Sequence, residues 1–138
     1  MGTTIRPEIS RESKYWINKN RYYELKHFCL QYPIWKRSLR NMQNSVSSSV
    51  LEREPSGNLP CDPTGNRAIS NLYYSNKIKM VERTAEETDS YLSSYLLKAV
   101  TEGLSYAVLK SRFDLPCSRD MYYDRYRRFF WLLSQERD

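Results

Sequence analysis

LSYAVLKSRFDLPCSRDMYYDRYRRFFWLL, residues 104–133, is the stretch that decides the fold of this 138-residue chain. Ser105 is placed to cap a short helix over 106–113, because its side-chain oxygen can accept an unpaired N–H of the first turn. The helix must end shortly before Pro116, since proline has no N–H and pushes the preceding residue out of the α region. The pattern therefore predicts a short helix followed by a tight turn.

Ser118 follows that turn and is placed to cap a second helix, which we expect to run to about Gln135. Asp120 in its first turn suits the positive end of the helix dipole. Four apolar or aromatic residues recur at spacings of four, three and four, which predicts that they share the face turned to the core: Tyr122, Tyr126, Phe129 and Leu133.

A short helix, a turn and a longer helix that carries arginines are the layout of a DNA-binding helix-turn-helix, here over 104–135. The turn lacks the glycine often found in that motif, and a plain helical hairpin has the same outline. In the DNA-binding interpretation, Arg119 and Tyr123 face base edges, and arginine suits the O6 and N7 atoms of guanine. Four further basic residues are expected near the phosphates: Arg127 and Arg128 on the second helix, and Lys110 and Arg112 on the first.

Each of these arginines has a simpler interpretation as a solvated residue or as a surface ion pair with Asp124 or Glu136, which contributes little stability. Tyr123 and Trp131 are large aromatic residues predicted on the outer face of the second helix. We expect them to be covered by the aromatic segment 15–17 or by a second copy of the chain in a homodimer, because exposed aromatic patches usually mark interfaces.

The composition favours a polyanionic partner. The net charge is +6 and the isoelectric point is about 9.3, and each neutralised phosphate releases counterions. No apolar run reaches the roughly 18 residues of a membrane span, and the N-terminus has no secretory signal. We therefore expect a soluble, cytoplasmic protein without a membrane partner.

The sequence does not favour an enzyme or a cofactor site. It has no GxxxxGK, HExxH or GxSxG motif and a single histidine. The three cysteines are far apart, without a CxxC pair, so a zinc site is not expected and the thiols should be reduced. We predict no catalytic residue, no metal and no cofactor.

The whole chain is predicted to be all-α, with about five helices. Residues 1–20 form an N-terminal arm, and residues 21–43 form a helix with a kink or a break at Pro33. Residues 44–61 are rich in Ser, Asn, Gly and Pro and are expected to be a flexible linker. Residues 62–138 are expected to form a helical domain that ends in the helix-turn-helix.

Four segments carry a resemblance to a known family: RYYELKHFCLQYPIWK, DPTGNRAI, TEGLSYAVLK and LPCSRDMYYDRYRRFFWLL. With these the chain resembles the small phage-encoded transcriptional regulators of the RinA/ArpU kind over roughly residues 15–134. Those proteins end in a helix-turn-helix related to region 4 of bacterial sigma factors. The shared ending is a Ser-capped helix with Tyr or Phe, then Arg-x-Arg/Lys, an aromatic residue and Leu-Leu.

The resemblance implies a sequence-specific, DNA-binding regulator of late phage or prophage genes in a bacterial host, with double-stranded DNA and host RNA polymerase as partners. By position it implies one DNA-contacting set: Ser118, Arg119, Asp120, Tyr123, Arg127 and Arg128. The alternatives are a packaging protein similar to a small terminase subunit and a structural or adaptor protein. A ring of subunits would favour packaging, and a protein without DNA affinity would be an adaptor.

Overall fold

The computed structural model describes residues 14–52 and 63–137, with the side chains of 14–42 and 68–137. These residues are helical or lie in turns, with no strand among them, so the predicted all-α class is confirmed. The six helices of the described ranges are α1 (Lys19–Leu30), α2 (Tyr32–Glu52), α3 (Pro63–Thr88), α4 (Ser93–Glu102), α5 (Tyr106–Phe113) and α6 (Arg119–Glu136).

The chain divides into two compact units. Of the described residues, 14–31 and 80–137 form one unit, and 32–52 and 63–79 form the other. The division falls inside the long helix α3 and not at residue 62, where the sequence predicted the start of a domain. The helix-turn-helix segment lies wholly within the first unit.

In the first unit α1 packs against α4 and α6, and α4 packs against α5. The core is formed by side chains that are almost fully buried, among them Leu25, Leu96, Leu109, Phe129, Phe130 and Leu133. Three of the four residues predicted to face the core from α6 are buried, namely Tyr122, Phe129 and Leu133, and Tyr126 packs against the core cluster. The predicted face of α6 is therefore confirmed.

The helix cap predicted at Ser105 is confirmed. Ser105 accepts from the Val108 N–H at 3.3 Å, and α5 spans the predicted residues. Gly103, with φ of 70°, ends α4 in the left-handed conformation that glycine adopts most easily. These local rules fix the bounds of α5 without any long-range contact.

Of the kink and the break predicted at Pro33, the structure has the break, which lies at Gln31 between α1 and α2. Gln31 is the C-cap residue of α1, and its N–H reaches the Phe28 carbonyl at 3.2 Å. Pro33 then lies in the first turn of α2, where an N–H would have no intrahelical partner in any case. The helix predicted over 21–43 is thus two helices, which accounts for six where about five were expected.

Helix α2 continues to Glu52, which corrects the expected linker of 44–61 over residues 44–52. The physical reason is that Ser and Asn are only weaker helix formers, whereas no Gly or Pro interrupts the chain between Pro33 and Pro55. The rest of the predicted linker, 53–61, lies outside the described residues. Helix α3 begins shortly after it, at Pro63.

The N-terminal arm predicted over 1–20 also ends earlier than expected. Asn18 caps α1, accepting from the Asn20 N–H at 2.8 Å, and Tyr15 and Ile17 are buried. Residues 1–13 lie outside the described ranges. Within those ranges, none of the helices has both the length and the apolar character needed to cross a bilayer.

Candidate nucleic-acid interface

The turn between α5 and α6 is built around Asp114. This residue has φ of 53° and ψ of 49°, the left-handed conformation that glycine usually supplies in such turns. The following N–H, of Leu115, donates to the Leu109 carbonyl at 3.2 Å, and both leucine side chains are buried in the core cluster. Asp is one of the few residues that tolerate this conformation, so it replaces the missing glycine. This signal was present in the sequence and was missed.

Lys110 is engaged inside this turn. Its Nζ donates to the Leu115 carbonyl at 3.0 Å and to the Cys117 carbonyl at 3.4 Å. These carbonyls precede α6 and would otherwise lack a backbone partner within a helix. The sequence predicted that Lys110 contacts the DNA backbone, and the structure gives its ammonium a role in holding the turn.

Ser118 begins α6 as predicted. Its side-chain oxygen accepts from the Met121 N–H at 3.2 Å, and its backbone is extended, with φ of −74° and ψ of 165°. Ser118, Arg119 and Asp120 are all exposed. The first turn of α6 therefore presents a hydroxyl, a cation and a carboxylate to the outside of the first unit.

Arg119 lies over two neighbouring tyrosine rings. Its guanidinium carbon lies 5.3 Å from the Tyr106 ring centre and 5.5 Å from that of Tyr123. A cation over an aromatic ring is attracted by the ring quadrupole, and this contact uses none of the N–H donors of the guanidinium. The two rings are half-buried and lean on Tyr122, which is almost fully buried, at 5.6 Å and 5.3 Å between ring centres. This tyrosine cluster thus positions an exposed arginine.

Tyr123 belongs to this tyrosine cluster and is not a freely exposed residue on the outer face of α6. It packs against the core cluster together with Tyr106 and Tyr126. The prediction that Tyr123 offers itself to base edges is untested, but the structure shows that a large part of its ring serves packing. The spacing of residues along α6 could not reveal this packing of the Tyr123 ring, because Tyr106 comes from the neighbouring helix α5.

Arg128 is turned toward the N-terminal segment. Its Nη1 donates to the Tyr15 hydroxyl at 3.3 Å, and its buried Nε has no hydrogen-bond partner. Tyr15 also covers Trp131, with 5.7 Å between ring centres. Of the two covers expected for Trp131, the structure shows the segment 15–17. Arg128 is consequently a less accessible phosphate ligand than the sequence predicted.

Arg112 is exposed and Arg127 is half-buried. Among the described residues neither makes a hydrogen bond or ion pair. Together with Arg119, they are the basic residues of the predicted set whose N–H donors have no partner among the described residues. The eight predicted residues therefore fall into two groups: Arg112, Ser118, Arg119, Asp120 and Arg127 lie outward, whereas Lys110, Tyr123 and Arg128 are partly used by the fold.

Arg125 is an organising residue that the sequence did not single out for that role. Its Nε donates to Asp89 Oδ2 at 2.8 Å, and its Nη1 donates to Asp124. Asp89 also accepts from the N–H groups of Tyr91 and Leu92, at 3.0 and 3.2 Å. This cluster ties α6 to the turn between α3 and α4, and nothing in the spacing along the chain reveals a contact between residues 36 positions apart.

Burial by itself raises the pKa of Asp89. The hydrogen bonds from Arg125 and from the two backbone N–H groups outweigh that effect and hold the pKa below its usual value. The same carboxylate, through hydrogen bonding, raises the pKa of Arg125. Arg125 is thus a charged, paired side chain and is not among the residues available to a nucleic acid.

Searches of protein-family models, curated proteins and solved structures found no match to this chain. The likeness to the phage regulators therefore remains an expectation drawn from the sequence motifs. The helices, the turn and the exposed residues of the first α6 turn are the observations on which a function can be argued.

Proposed function

We propose that this chain is a non-enzymatic, sequence-specific DNA-binding protein that regulates transcription of phage or prophage late genes in the cytoplasm of a bacterial host. In this proposal α6 enters the major groove with its N-terminal turn, and α5 crosses the backbone. Double-stranded DNA is the partner, the protein acts as a monomer or a homodimer, and host RNA polymerase is a further partner.

The observation that carries the proposal is the arrangement around Arg119. Helix α5 is short, the turn from Asp114 to Ser118 is closed by a left-handed residue, and the capped α6 starts with an exposed arginine. The guanidinium is steadied by Tyr106 and Tyr123 while its N–H donors stay unused. Bidentate reading of guanine requires such a fixed donor pair.

Arg112 and Arg127 supply the phosphate contacts in this proposal. Contacts of this kind fix the register of a helix on the duplex without reading its sequence. Only a few cations are available on this surface, because Lys110, Arg125 and Arg128 have partners inside the protein. We therefore expect a modest electrostatic contribution from α5 and α6 themselves.

The test is a titration of the full chain against DNA fragments from its own genomic neighbourhood, at two salt concentrations and with an excess of competitor duplex. A sequence-dependent shift that survives competition supports the proposal. Binding that the competitor abolishes at every fragment contradicts sequence-specific recognition.

The alternative is an adaptor or packaging protein, and one observation favours it. Two of the cations predicted to contact DNA, Lys110 and Arg128, are bonded within the protein, and so is Arg125. Measurement of the mass in solution separates the candidates, because a ring of subunits fits packaging whereas a monomer or dimer fits regulation. A monomer with no affinity for any duplex would fit only the adaptor among these candidates.

A further inference from the structure

The exposed side of α2 carries three cations close together. Lys36, Arg37 and Arg40 are all exposed. At about 100° per residue, these three positions fall within a sector of about 100° around the helix. Trp35, on the opposite side of the same turns, is buried, with 3% exposure, and the Lys36 ammonium lies 5.3 Å from the centre of the buried Tyr32 ring. The cations therefore occupy one continuous strip of the second unit.

Helix α3 adds lysines to the same unit. Lys77 Nζ lies 5.7 Å from the centre of the Trp35 ring, next to Lys36 in the chain, and 4.6 Å from the Tyr73 ring. Lys79 is exposed. Both helices of the second unit thus contribute positive charge.

Acidic residues are few in this part of the sequence. Residues 32–79 contain seven Lys or Arg against three Asp or Glu, a difference of four in a chain of net charge +6. The three acids are Glu52, Glu54 and Asp62, so 32–51 and 63–79 contain none. By contrast, residues 105–137 interleave Asp114, Asp120, Asp124 and Glu136 with their cations.

A helix face exposed only for solubility usually mixes both signs, because like charges three or four residues apart repel each other and destabilise the helix. Lys36 and Arg40 are four residues apart, and Arg37 and Arg40 are three apart. No acid of the same helix turns offsets them. The strip accordingly fits a surface that is neutralised by an external anion.

We propose that the strip of Lys36, Arg37 and Arg40 is a second nucleic-acid site that binds the phosphate backbone of duplex DNA without reading its sequence. Closely spaced cations on a helix neutralise successive phosphates, and the release of counterions drives the binding. The site does not depend on whether α6 reads bases.

Other occupants fit the strip less well. A second copy of the chain would bring like charges together, which opposes association. Lysine is depleted from the buried centre of protein interfaces. In the described turns of α2 the exposed apolar residue beside the cations is Ile34, at 52%, and one side chain is too little for the continuous apolar face that a membrane-surface helix buries.

The experiment uses the full chain and a random-sequence duplex of about 30 base pairs, with affinity measured by fluorescence anisotropy over a range of salt concentrations. The variant Lys36→Gln/Arg37→Gln/Arg40→Gln should bind more weakly. Its plot of log affinity against log salt should be shallower by about two to three, since each lost phosphate contact removes roughly 0.9 from the slope. Helical content by circular dichroism should not change.

The matched control is Lys19→Gln/Arg83→Gln/Lys98→Gln, which removes the same charge from the first unit. It should keep a slope within about one unit of the original. An unchanged slope in the α2 variant overturns the inference, and so does an equal loss in the control, because that would be an effect of net charge alone. Loss of binding to phosphatidylglycerol vesicles with full retention of duplex binding would also overturn it.

Arg119→Ala separates this inference from the proposed function. Loss of site selectivity in Arg119→Ala together with an unchanged slope in the α2 variant supports the proposed function and overturns the second site. A shallower slope in the α2 variant, with no sequence preference in the unaltered protein, supports the second site and contradicts sequence-specific regulation. An unaltered protein that binds no duplex contradicts both.

Discussion

Asp114 illustrates how a single residue can meet a backbone requirement that glycine usually meets. It is the one non-glycine residue with positive φ in the described ranges. The left-handed conformation brings Cβ close to the next carbonyl oxygen, and Asp tolerates it better than most residues because its short side chain can hydrogen-bond locally. The turn between α5 and α6 depends on this tolerance.

Two substitutions at this position should act in opposite directions. Asp114→Gly should raise the free energy of unfolding by about 0.5–1 kcal/mol by removing the strain, and Asp114→Val should lower it by about 1–2 kcal/mol. Both remove the carboxylate, so their difference isolates the backbone effect. Urea unfolding measures both, and equal destabilisation by the two variants would show that the carboxylate, not the backbone, is what matters.

Substitutions of Tyr106 test whether its ring supports Arg119. Replacing it by Leu removes a cation–π contact worth about 0.5–1 kcal/mol, so selectivity for the preferred duplex over a competitor should fall about two- to fivefold. Tyr106→Phe retains the ring and should retain the selectivity. Anisotropy titrations with both duplexes give the ratio, and an equal loss in the Phe variant would assign the effect to the hydroxyl.

At the scale of elements, the Arg125 cluster joins α6 to the turn before α4. Its pair with Asp89 is mostly shielded from solvent, with 29% and 16% of the two side chains exposed. Three donors converge on one carboxylate, whose pKa is lower in the folded protein than in the unfolded chain. The position of α6 relative to α4 is therefore linked to the ionisation of Asp89.

This linkage predicts the response to acid. A carboxyl group with a lowered folded pKa stabilises the protein above its unfolded value of about 3.9, and that contribution is lost as the pH falls through the folded value. Asp89→Asn should be less stable than the unaltered protein at neutral pH, by about 1–3 kcal/mol. The gap between the two should narrow below about pH 4.

Thermal unfolding followed between pH 2.5 and pH 7 measures this gap. Asp120→Asn is the matched control, because Asp120 is exposed and has no partner among the described residues. A constant gap between Asp89→Asn and the unaltered protein across the whole range would contradict the linkage to Arg125.

At the scale of the molecule, aromatic residues form the junction between α1 and α6. The Tyr22 and Tyr126 hydroxyls are 2.9 Å apart and share a hydrogen bond, and the Phe130 ring lies 5.1 Å from that of Tyr22. Burial raises the pKa of Tyr126, so this phenol stays neutral and keeps its proton for the bond. The first unit is thus closed by ring packing that joins residues 104 positions apart.

A substitution of Phe129 tests how much this core contributes to the free energy of unfolding. Its side chain is fully buried, so Phe129→Ala should lower the free energy of unfolding by about 3–5 kcal/mol through lost burial and an added cavity. Ile69→Ala, at a residue 69% exposed, should change it by less than about 0.5 kcal/mol. Guanidinium unfolding followed by far-ultraviolet circular dichroism compares the two. Similar losses in both variants would contradict the assignment of the core.

The sequence by itself determined the helical class, the bounds of α5, and the caps at Ser105 and Ser118. All of these depend on residues within one turn of each other, where hydrogen-bond geometry and backbone sterics leave few choices. It also predicted the core face of α6, because the spacing of apolar residues along a helix fixes which of them share a side.

Only the tertiary structure decided what the charged and aromatic residues of α6 do. Arg125 pairs with Asp89, Arg128 reaches Tyr15, and Arg119 lies over Tyr106 and over Tyr123 of its own helix. Asp89, Tyr15 and Tyr106 come from other parts of the chain, and a helical pattern gives the direction of a side chain but not what meets it. The physical reason is that long arginine side chains find their partners through packing across the chain, which no local spacing encodes.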